Sequence, residues 1–570
     1  LTALLEDNLS GAGRKVTITG FQGALSSQAR ISALTIADDA GVWLSLKDVV
    51  LDWNRSALLA GRVSVNQLTA AEIVLTRIPE TTADSSLPAP EATPFALPEL
   101  PVSVNIGTLA AEKLSFGPTI LGQPVEARLQ AAITLDGGEG SAALALDRTD
   151  GGPPGKVALT ASYANGSRVL ALDLEASEGA GGIAASLLGL PGTPDVDLTV
   201  KGNGPLEDYT ADLRLVSDGA ERLAGQVSVG IPGPEDATGA TRFKLDLGGD
   251  LAPLFAPDYA TFFGTDVGLT AAGVKEADGR LDLSAFRVVT QALDLEGSVQ
   301  LAPDGLPERF AITGQLGLDG QPVLLPLTTE ERTTVDHADL DIGSDAAKAD
   351  AWTADIQVTG LNRADLTARQ ARITGGGTIA RPEGRPLAEG LLDLVLEGLA
   401  PQDPALTKAL GSQLTGQVGF RWQDGQDTFD LPVLRLTGTD YGFDGGLKIG
   451  GLDSSLTVAG QGRLQAADLS RFADLAGQPL AGRADAQLSG QTALLDGSFD
   501  VTGKVTGTGL KLGVAELDSL LAGTSTIDLA VRRDTTGTLL RQFDIAAASL
   551  TAKAQGRVTT AGSDITADLD

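Results

Sequence analysis

The sequence predicts an all-β protein: an elongated antiparallel sheet with a groove-like apolar interior and a few short capping helices. Three observations predict this fold. Apolar and polar residues alternate in most segments, tight-turn dipeptides separate these segments, and helical patterns are few and short. Because successive side chains of a strand point to opposite faces, the alternation gives each strand one apolar and one wetted face. Burial on one side only is typical of antiparallel sheets.

The apolar members of the alternating segments are the candidate functional residues. A long sheet has to curl or be covered because of its twist and its edges, which places these side chains inside a tube or groove. Either the two walls pack against each other or an apolar ligand fills the space between them, and the alternation suits both. The candidate groove-lining residues are Val16, Ile18, Leu44, Leu46, Val63, Val65, Leu159, Val196, Leu198, Val200, Leu213, Leu215, Leu245, Leu247, Leu281 and Leu283.

Dipeptides that favour tight turns separate the predicted strands. Asp-Gly begins at positions 136, 150, 218, 278, 304, 319, 424, 444 and 496, and Asn-Gly begins at 165 and 203. Both dipeptides accept the positive φ angles of two-residue hairpin loops, so they indicate hairpins. The glycine run at 374–377 lacks the spacing and the Lys of a phosphate-binding loop, and we interpret it as a flexible turn. The chain is therefore predicted to be a long antiparallel meander.

Short helices are predicted at five places, and we interpret them as plugs over an end or an edge of the sheet. Leucines at helical spacing indicate one or two amphipathic turns at the start of the chain. Of the other four, three begin at Asp and three end at Gly, which is typical of capped helices. The predicted helices are 1–9, 250–255, 403–411, 468–477 and 516–523. Strand series restart after three of them, which indicates a degenerate repeat in an extended array.

One change of composition suggests a boundary between domains. Six prolines lie between positions 79 and 101, and proline at this density cannot donate hydrogen bonds to a sheet ladder. We therefore predict a linker or long surface loop at 79–101. It would separate an N-terminal strand group with a short amphipathic start, residues 1–78, from a continuous repetitive β-groove at 102–570.

The composition disfavours catalysis and nucleic-acid binding. The 570 residues include no Cys and one His, His337, so a thiol nucleophile, a Cys zinc site and a multi-His metal site are excluded. Asp336, Asp339 and Asp341 lie beside His337, but they lack the ligand spacing of a calcium loop, and a solvated strand edge is expected there. The net charge of −32 opposes nucleic-acid binding. We predict no catalytic residues, no metal and no cofactor.

Two segments resemble the TamB family of AsmA-like bacterial envelope proteins, in an alphaproteobacterial form. These segments are residues 47–62 and residues 190–209, and the Asp-Leu helices followed by Gly-led strands are similar to the same family. The resemblance implies an elongated β-taco in the periplasm of a Gram-negative bacterium, anchored to the inner membrane by an N-terminal helix. It also implies contact with phospholipids and with a TamA-type outer-membrane barrel protein. We expect the anchor helix and the C-terminal domain that meets TamA to lie outside this chain.

Three functional hypotheses follow. The first is a periplasm-spanning lipid conduit that carries phospholipids between the inner and outer membranes along a hydrophobic groove and supports outer-membrane biogenesis. The alternative is a scaffold or chaperone that assists the assembly of outer-membrane barrels or autotransporters by strand addition. The third, an extracellular adhesin or polysaccharide enzyme, is disfavoured because only 4% of the residues are aromatic.

Overall fold

The structure is a computed structural model. It describes residues 6, 10, 15–23, 27–79, 96–99, 103–233, 238–327, 332–344, 350–451, 456–560 and 562–570, without the side chains of 58–60. Strands hold 66% of the residues and helices 10%, which confirms the predicted all-β class with long antiparallel sheets and few short helices. The chain divides into two compact units, Leu1–Gln291 and Ala292–Asp570. The border between the units lies inside the range predicted as one continuous array.

The first unit is a sheet in which each strand pairs with the next strand along the chain. All of these pairs are antiparallel except that of β4 with β5. The strands are β1 Lys15–Thr19, β2 Gln28–Asp38, β3 Gly41–Asn54, β4 Arg62–Leu75, β5 Ser103–Phe116, β6 Val125–Asp136, β7 Glu139–Arg148, β8 Gly155–Ala164, β9 Val169–Glu178, β10 Val196–Pro205, β11 Tyr209–Ser217, β12 Ala220–Gly230, β13 Thr241–Gly249, β14 Val267–Lys275 and β15 Leu281–Val289.

The parallel pair of β4 and β5 spans the predicted linker at 79–101. Parallel neighbours need a crossover connection, which a tight hairpin cannot supply. Within this range, residues 79 and 96–99 have no regular secondary structure, and residues 80–95, 100 and 101 lie outside the described residues. The predicted N-terminal helix at 1–9 also falls almost wholly outside them.

The second unit continues the antiparallel pattern throughout its described strands. The short strands β18, β19 and β24 pair at the margins of the main ladder. The strands are β16 Leu293–Leu301, β17 Pro307–Leu316, β18 Val323–Leu324, β19 Thr333–Val335, β20 His337–Ser344, β21 Ala351–Arg363, β22 Leu366–Ala380, β23 Leu387–Glu397, β24 Ala400–Pro401, β25 Gln413–Gln423, β26 Thr428–Thr437, β27 Tyr441–Gly450, β28 Thr457–Ala466, β29 Ala481–Ala493, β30 Ser498–Lys511, β31 Thr524–Asp534, β32 Gly537–Ala547, β33 Leu550–Thr559 and β34 Gly562–Leu569.

Most predicted turns are confirmed, and three are wrong. Asp218 and Gly219, with φ angles of 52° and 68°, form the two-residue loop between β11 and β12, as a type I′ hairpin requires. The dipeptides at 203 and 444 instead lie inside β10 and β27, and the run at 374–377 lies inside β22. In β22 glycine is needed for space, because a Cβ at Gly377 would lie 1.9 Å from the Glu389 carbonyl oxygen.

The four predicted helices within the described chain are confirmed as short helical segments at strand ends. The Asp403 side chain caps its helix by accepting a hydrogen bond from the Ala405 N–H at 2.8 Å. The α-helices are α1 Pro118–Leu121, α2 Ile183–Leu187, α3 Ala260–Phe263, α4 Pro404–Leu410, α5 Ala473–Ala476 and α6 Ala515–Leu520, and the 3-10 helices are Arg55–Ala60, Leu206–Asp208, Ala252–Leu254, Pro257–Tyr259, Pro382–Gly384 and Leu469–Phe472. None of the helices in the described ranges is long and apolar enough to cross a membrane.

The buried clusters lie where these helices cover strand ends. In the first unit, Ala185 of α2 packs with Leu190 and Val196. In the second unit, one cluster gathers around Tyr441 and Leu414, and another around Leu510 and Leu521, close to α4 to α6. The helices therefore act as plugs along the sheet margins, as predicted.

Candidate functional site

The apolar face of the first unit carries an uninterrupted row of apolar residues across fourteen strands, β2 to β15. The strand register places each member directly opposite the next, so all members lie on one face. We call this set the first-unit row. Its members are Ala29, Leu51, Leu68, Leu109, Ala131, Leu144, Leu159, Leu174, Val200, Leu213, Gly225, Leu247, Leu269 and Val288.

The second unit carries a longer row of the same kind. It takes one residue from each of sixteen strands, which are all the strands of the unit except the short β18, β19 and β24. We call this set the second-unit row. Its members are Leu295, Gly314, Leu340, Ile356, Ile373, Leu394, Gly416, Leu436, Phe443, Leu464, Ala486, Val505, Ile527, Ile545, Ala552 and Leu569.

Most members of both rows remain partly accessible to solvent. Only Ala29 and Leu247 are buried in the first-unit row, and only Ile545 is buried in the second-unit row, while Leu569 is exposed. A closed core packs its side chains at high density and removes them from water. The two rows are therefore apolar faces that the described chain covers incompletely.

The opposite face of the first unit is polar. Beside the first-unit row, the outward residues Thr160, Asp173, Lys201, Asp212 and Gln226 stand next to each other on successive strands. The Lys201 Nζ lies 2.7 Å from a Glu175 carboxylate oxygen and 3.2 Å from one of Asp173. Hydrogen bonds to these two carboxylates raise the pKa of Lys201. Exposed pairs of this kind contribute little stability, so their main effect is to keep this face hydrated.

The structure places all sixteen predicted lining residues in the first unit, on strands whose inward residues form its apolar face. Four of them, Leu159, Val200, Leu213 and Leu247, belong to the first-unit row. The other twelve lie on β1, β3, β4, β10, β11, β13 and β15, and none of the sixteen is exposed. The buried ones are Val16, Ile18, Val65, Val196 and Leu247. The second-unit row was missed, although the same alternation marks its strands.

An apolar cavity of about 440 Å³ adjoins the first-unit row. Its floor is formed by five residues that face each other on β7 to β11, namely Leu146, Val157, Ala176, Leu198 and Leu215. Its other wall is α2 and the residue that follows it. The sequence-based prediction included Val196, Leu198 and Leu215 of the lining, but it missed α2.

A largely buried ion-pair network lies at one end of this cavity. The Arg148 guanidinium donates to Asp150 through Nε at 2.7 Å and to Glu178 through Nη1 at 2.9 Å. Glu178 also accepts a hydrogen bond from the Ala184 N–H of α2 at 2.6 Å. Burial alone would raise the pKa of Asp150, but hydrogen bonds from the Glu126 and Gly152 N–H groups and from Arg148 outweigh it and lower that pKa. The network thus ties the helix to the end of the sheet.

The one histidine lies in an exposed strand position. His337 begins β20, and its Nε2 lies 3.2 Å from an Asp339 carboxylate oxygen in a pair that is 40–48% exposed. Among the described residues, no group of His, Asp and Glu is arranged to hold a metal ion. The apolar faces and the cavity beside them are therefore the features for which a function can be argued.

No protein-family model, curated protein or solved structure matches this chain.

Proposed function

We propose that this chain conducts phospholipids along its apolar faces, between the inner and outer membranes of a Gram-negative envelope, and so supports outer-membrane biogenesis. The observation that supports this proposal most strongly is the pair of uninterrupted apolar rows, most of whose members stay partly accessible to solvent. The periplasmic location and a TamA-type partner rest on the resemblance of residues 47–62 and 190–209 to the TamB family.

Physical chemistry favours an acyl chain on such a face. Moving apolar surface out of water is favourable by about 25 cal/mol per Å², which is about 0.8 kcal/mol for each CH₂ group. Because the rows contain no polar or charged side chain, an acyl chain would meet similar surroundings at every step. Binding of this kind holds the chain on the face without fixing it at one position, so lipid could slide along it.

Lipid mass spectrometry of the natively purified chain tests this proposal. We expect several phospholipids to co-purify with each chain. Leu159→Arg places a charge in the middle of the first-unit row and should lower the lipid content. Thr160→Arg is the matched control, because it puts the same side chain on the neighbouring residue of the polar face. A lipid-free, folded chain, or equal lipid loss in both variants, would contradict the proposal.

A specific observation also supports the alternative, a scaffold that works by strand addition. Every residue of β34 is exposed, and in the described chain only β33 pairs with it. Asp570 and Thr551 exchange both backbone hydrogen bonds, at 2.8 and 2.7 Å. Because such pairs alternate along an antiparallel ladder, the N–H groups of Ile565 and Ala567 point away from β33. These groups are available to an added strand.

Proline at this edge separates the two functions. Ala567→Pro removes an outward N–H without breaking the ladder to β33, and Ala567→Val is the control that keeps it. If the chain is a scaffold, the proline variant should fail to support assembly of outer-membrane proteins while its bound lipid is unchanged. Normal assembly with the proline variant would contradict the scaffold hypothesis.

A further inference from the structure

The cavity beneath α2 differs from the open rows because it has walls on two sides. The sheet supplies one wall, and Ile183, Ala184 and Leu187 supply the other. Its volume of about 440 Å³ lies within the range of small-ligand pockets, roughly 300–1,000 Å³. Since the floor residues Val157 and Leu198 are two positions from Leu159 and Val200, the cavity lies directly beside the first-unit row.

The opening of the cavity is marked by exposed leucines. Leu187 and Leu188 line the cavity, yet they are 64% and 61% exposed. Leu121, the last residue of α1, lines it too and is partly exposed. Large apolar side chains that are exposed next to one another at a cavity mark an interaction site.

We propose that this cavity binds the end of a single acyl chain and is a side entrance to the first-unit row, with the polar head group left at the opening formed by Leu187 and Leu188. This inference rests on the proposed function, since it names the place where an acyl chain joins the apolar face. An acyl chain fits the lining, whose residues are apolar except for Arg148, Lys156, Ser177 and Glu178. The Arg148 network does not favour an anion, because its one guanidinium is already paired with two carboxylates.

Glu178 is a positioning residue for this site. Its two carboxylate oxygens connect Arg148 on β7 to the Ala184 N–H on α2, so it sets the distance between the helix and the sheet. Gly182, the residue before α2, allows this approach, because a Cβ there would lie 2.3 Å from the Glu178 carboxyl carbon. The width of the cavity therefore depends on a contact outside its apolar lining.

The test uses a polarity-sensitive fluorophore on a single introduced cysteine, which is simple because the chain has no Cys. The fluorophore is attached at Leu188→Cys, and the control label is attached at Leu495→Cys, a leucine of the second unit that is also largely exposed. Palmitate is titrated first, followed by vesicles of phosphatidylethanolamine and phosphatidylglycerol. We expect a saturable shift to an apolar environment at position 188 and none at position 495. Equal responses at the two positions would overturn the proposal.

Two matched variants locate the bound chain. Ala176→Phe fills the cavity from its floor and should weaken palmitate binding by about tenfold or more. Ala158→Phe adds the same ring to the polar face of the neighbouring strand, outside the cavity, and should leave binding unchanged. Equal effects of the two variants would overturn the proposal, and the comparison of labels at 188 and 495 remains decisive if Ala176→Phe does not fold.

The two proposals can fail separately. If Leu159→Arg removes co-purified lipid but the label at 188 does not respond, the side entrance is wrong and the conduit stands. If the label responds to palmitate while Leu159→Arg leaves the lipid content unchanged, the acyl-chain site stands and the conduit is wrong. A response to palmitate but not to vesicles identifies free fatty acid as the source of the acyl chain, which supports the site as proposed.

Discussion

Replacing Glu178 by alanine should release α2 from the end of the sheet and destabilise the first unit. The backbone amide of Ala184 would lose its acceptor, and α2 has no side-chain cap that could replace it, since Gly182 precedes the helix. Arg148 would lose one of its two carboxylate partners. Both losses occur where solvent has little access, because the side chains of Arg148 and Glu178 are only 9% and 11% exposed.

The size of the destabilisation depends on which contacts of Arg148 remain after Glu178→Ala. Removing one partner of a buried ion pair costs about 3–5 kcal/mol when the other charge is left alone. Here Asp150 still accepts a hydrogen bond from Arg148 at 2.7 Å, so the guanidinium keeps a counter-charge. We therefore expect Glu178→Ala to lower the free energy of unfolding by about 2–3 kcal/mol, as for hydrogen bonds to charged groups. Glu178→Gln keeps an acceptor for Ala184 and should cost about 1 kcal/mol.

Urea denaturation followed by tryptophan fluorescence measures this effect. The first unit contains Trp43 and Trp53, and the second contains Trp352 and Trp422, so a background with both second-unit tryptophans changed to Phe reports on the first unit alone. The control is Glu221→Ala, which removes the partner of Arg214 in a pair that is about half exposed and should change stability by about 0.5 kcal/mol or less. If Glu178→Ala destabilises no more than Glu221→Ala, the network does not hold the helix.

Three further predictions concern other parts of the chain. Hydrogen bonds from Arg381 lower the pKa of Asp304 from 3.8 to about 2. The ionised carboxylate therefore stabilises the fold above pH 3.8, and this stabilisation should be lost as the pH falls toward 2. Arg381→Met should flatten that part of a curve of stability against pH. Leu521 is fully buried beside α6, and Leu521→Ala should lower the free energy of unfolding of the second unit by about 2–5 kcal/mol in urea denaturation. Gly377→Ala should cost about 1–3 kcal/mol in the same assay, because its Cβ would collide with the Glu389 carbonyl; no loss of stability would show that β22 and β23 can separate there.

The alternation of apolar and polar residues predicts which side of a strand is apolar, because the two-residue period is a local property of each strand. It places all sixteen candidate lining residues in strands of the first-unit sheet. Glycine was harder to interpret, since it serves both tight turns and close backbone approach. The glycines at 375–377 allow close backbone approach, which only the positions of the neighbouring strands reveal.

The cavity could not be predicted from the sequence for a different reason. Helix α2 has no capping residue next to it, because its N-terminal amide is satisfied by Glu178 at the end of β9. Sequence rules for helix starts look for the acceptor at the residue before the helix. Since the acceptor here comes from an adjacent strand end, the helix and the wall it provides become visible only in three dimensions.

The apolar face of the first unit keeps its phase across irregularities that break the sequence pattern. A bulge inverts the alternation of a strand, and without compensation every later side chain would turn to the other face. In β15, Leu283 and Phe286 are three residues apart, yet both lie on the apolar face because the bulge against β14 absorbs Ser284. The apolar and polar positions of the sequence thus shift by one residue at the same place where the strand register shifts. In a closed core, the sequence pattern has to match the strand register only where side chains are buried. Here the apolar residues stay on one face over fourteen strands, although most members of the row remain accessible to solvent. This combination is what a face that carries an apolar ligand requires.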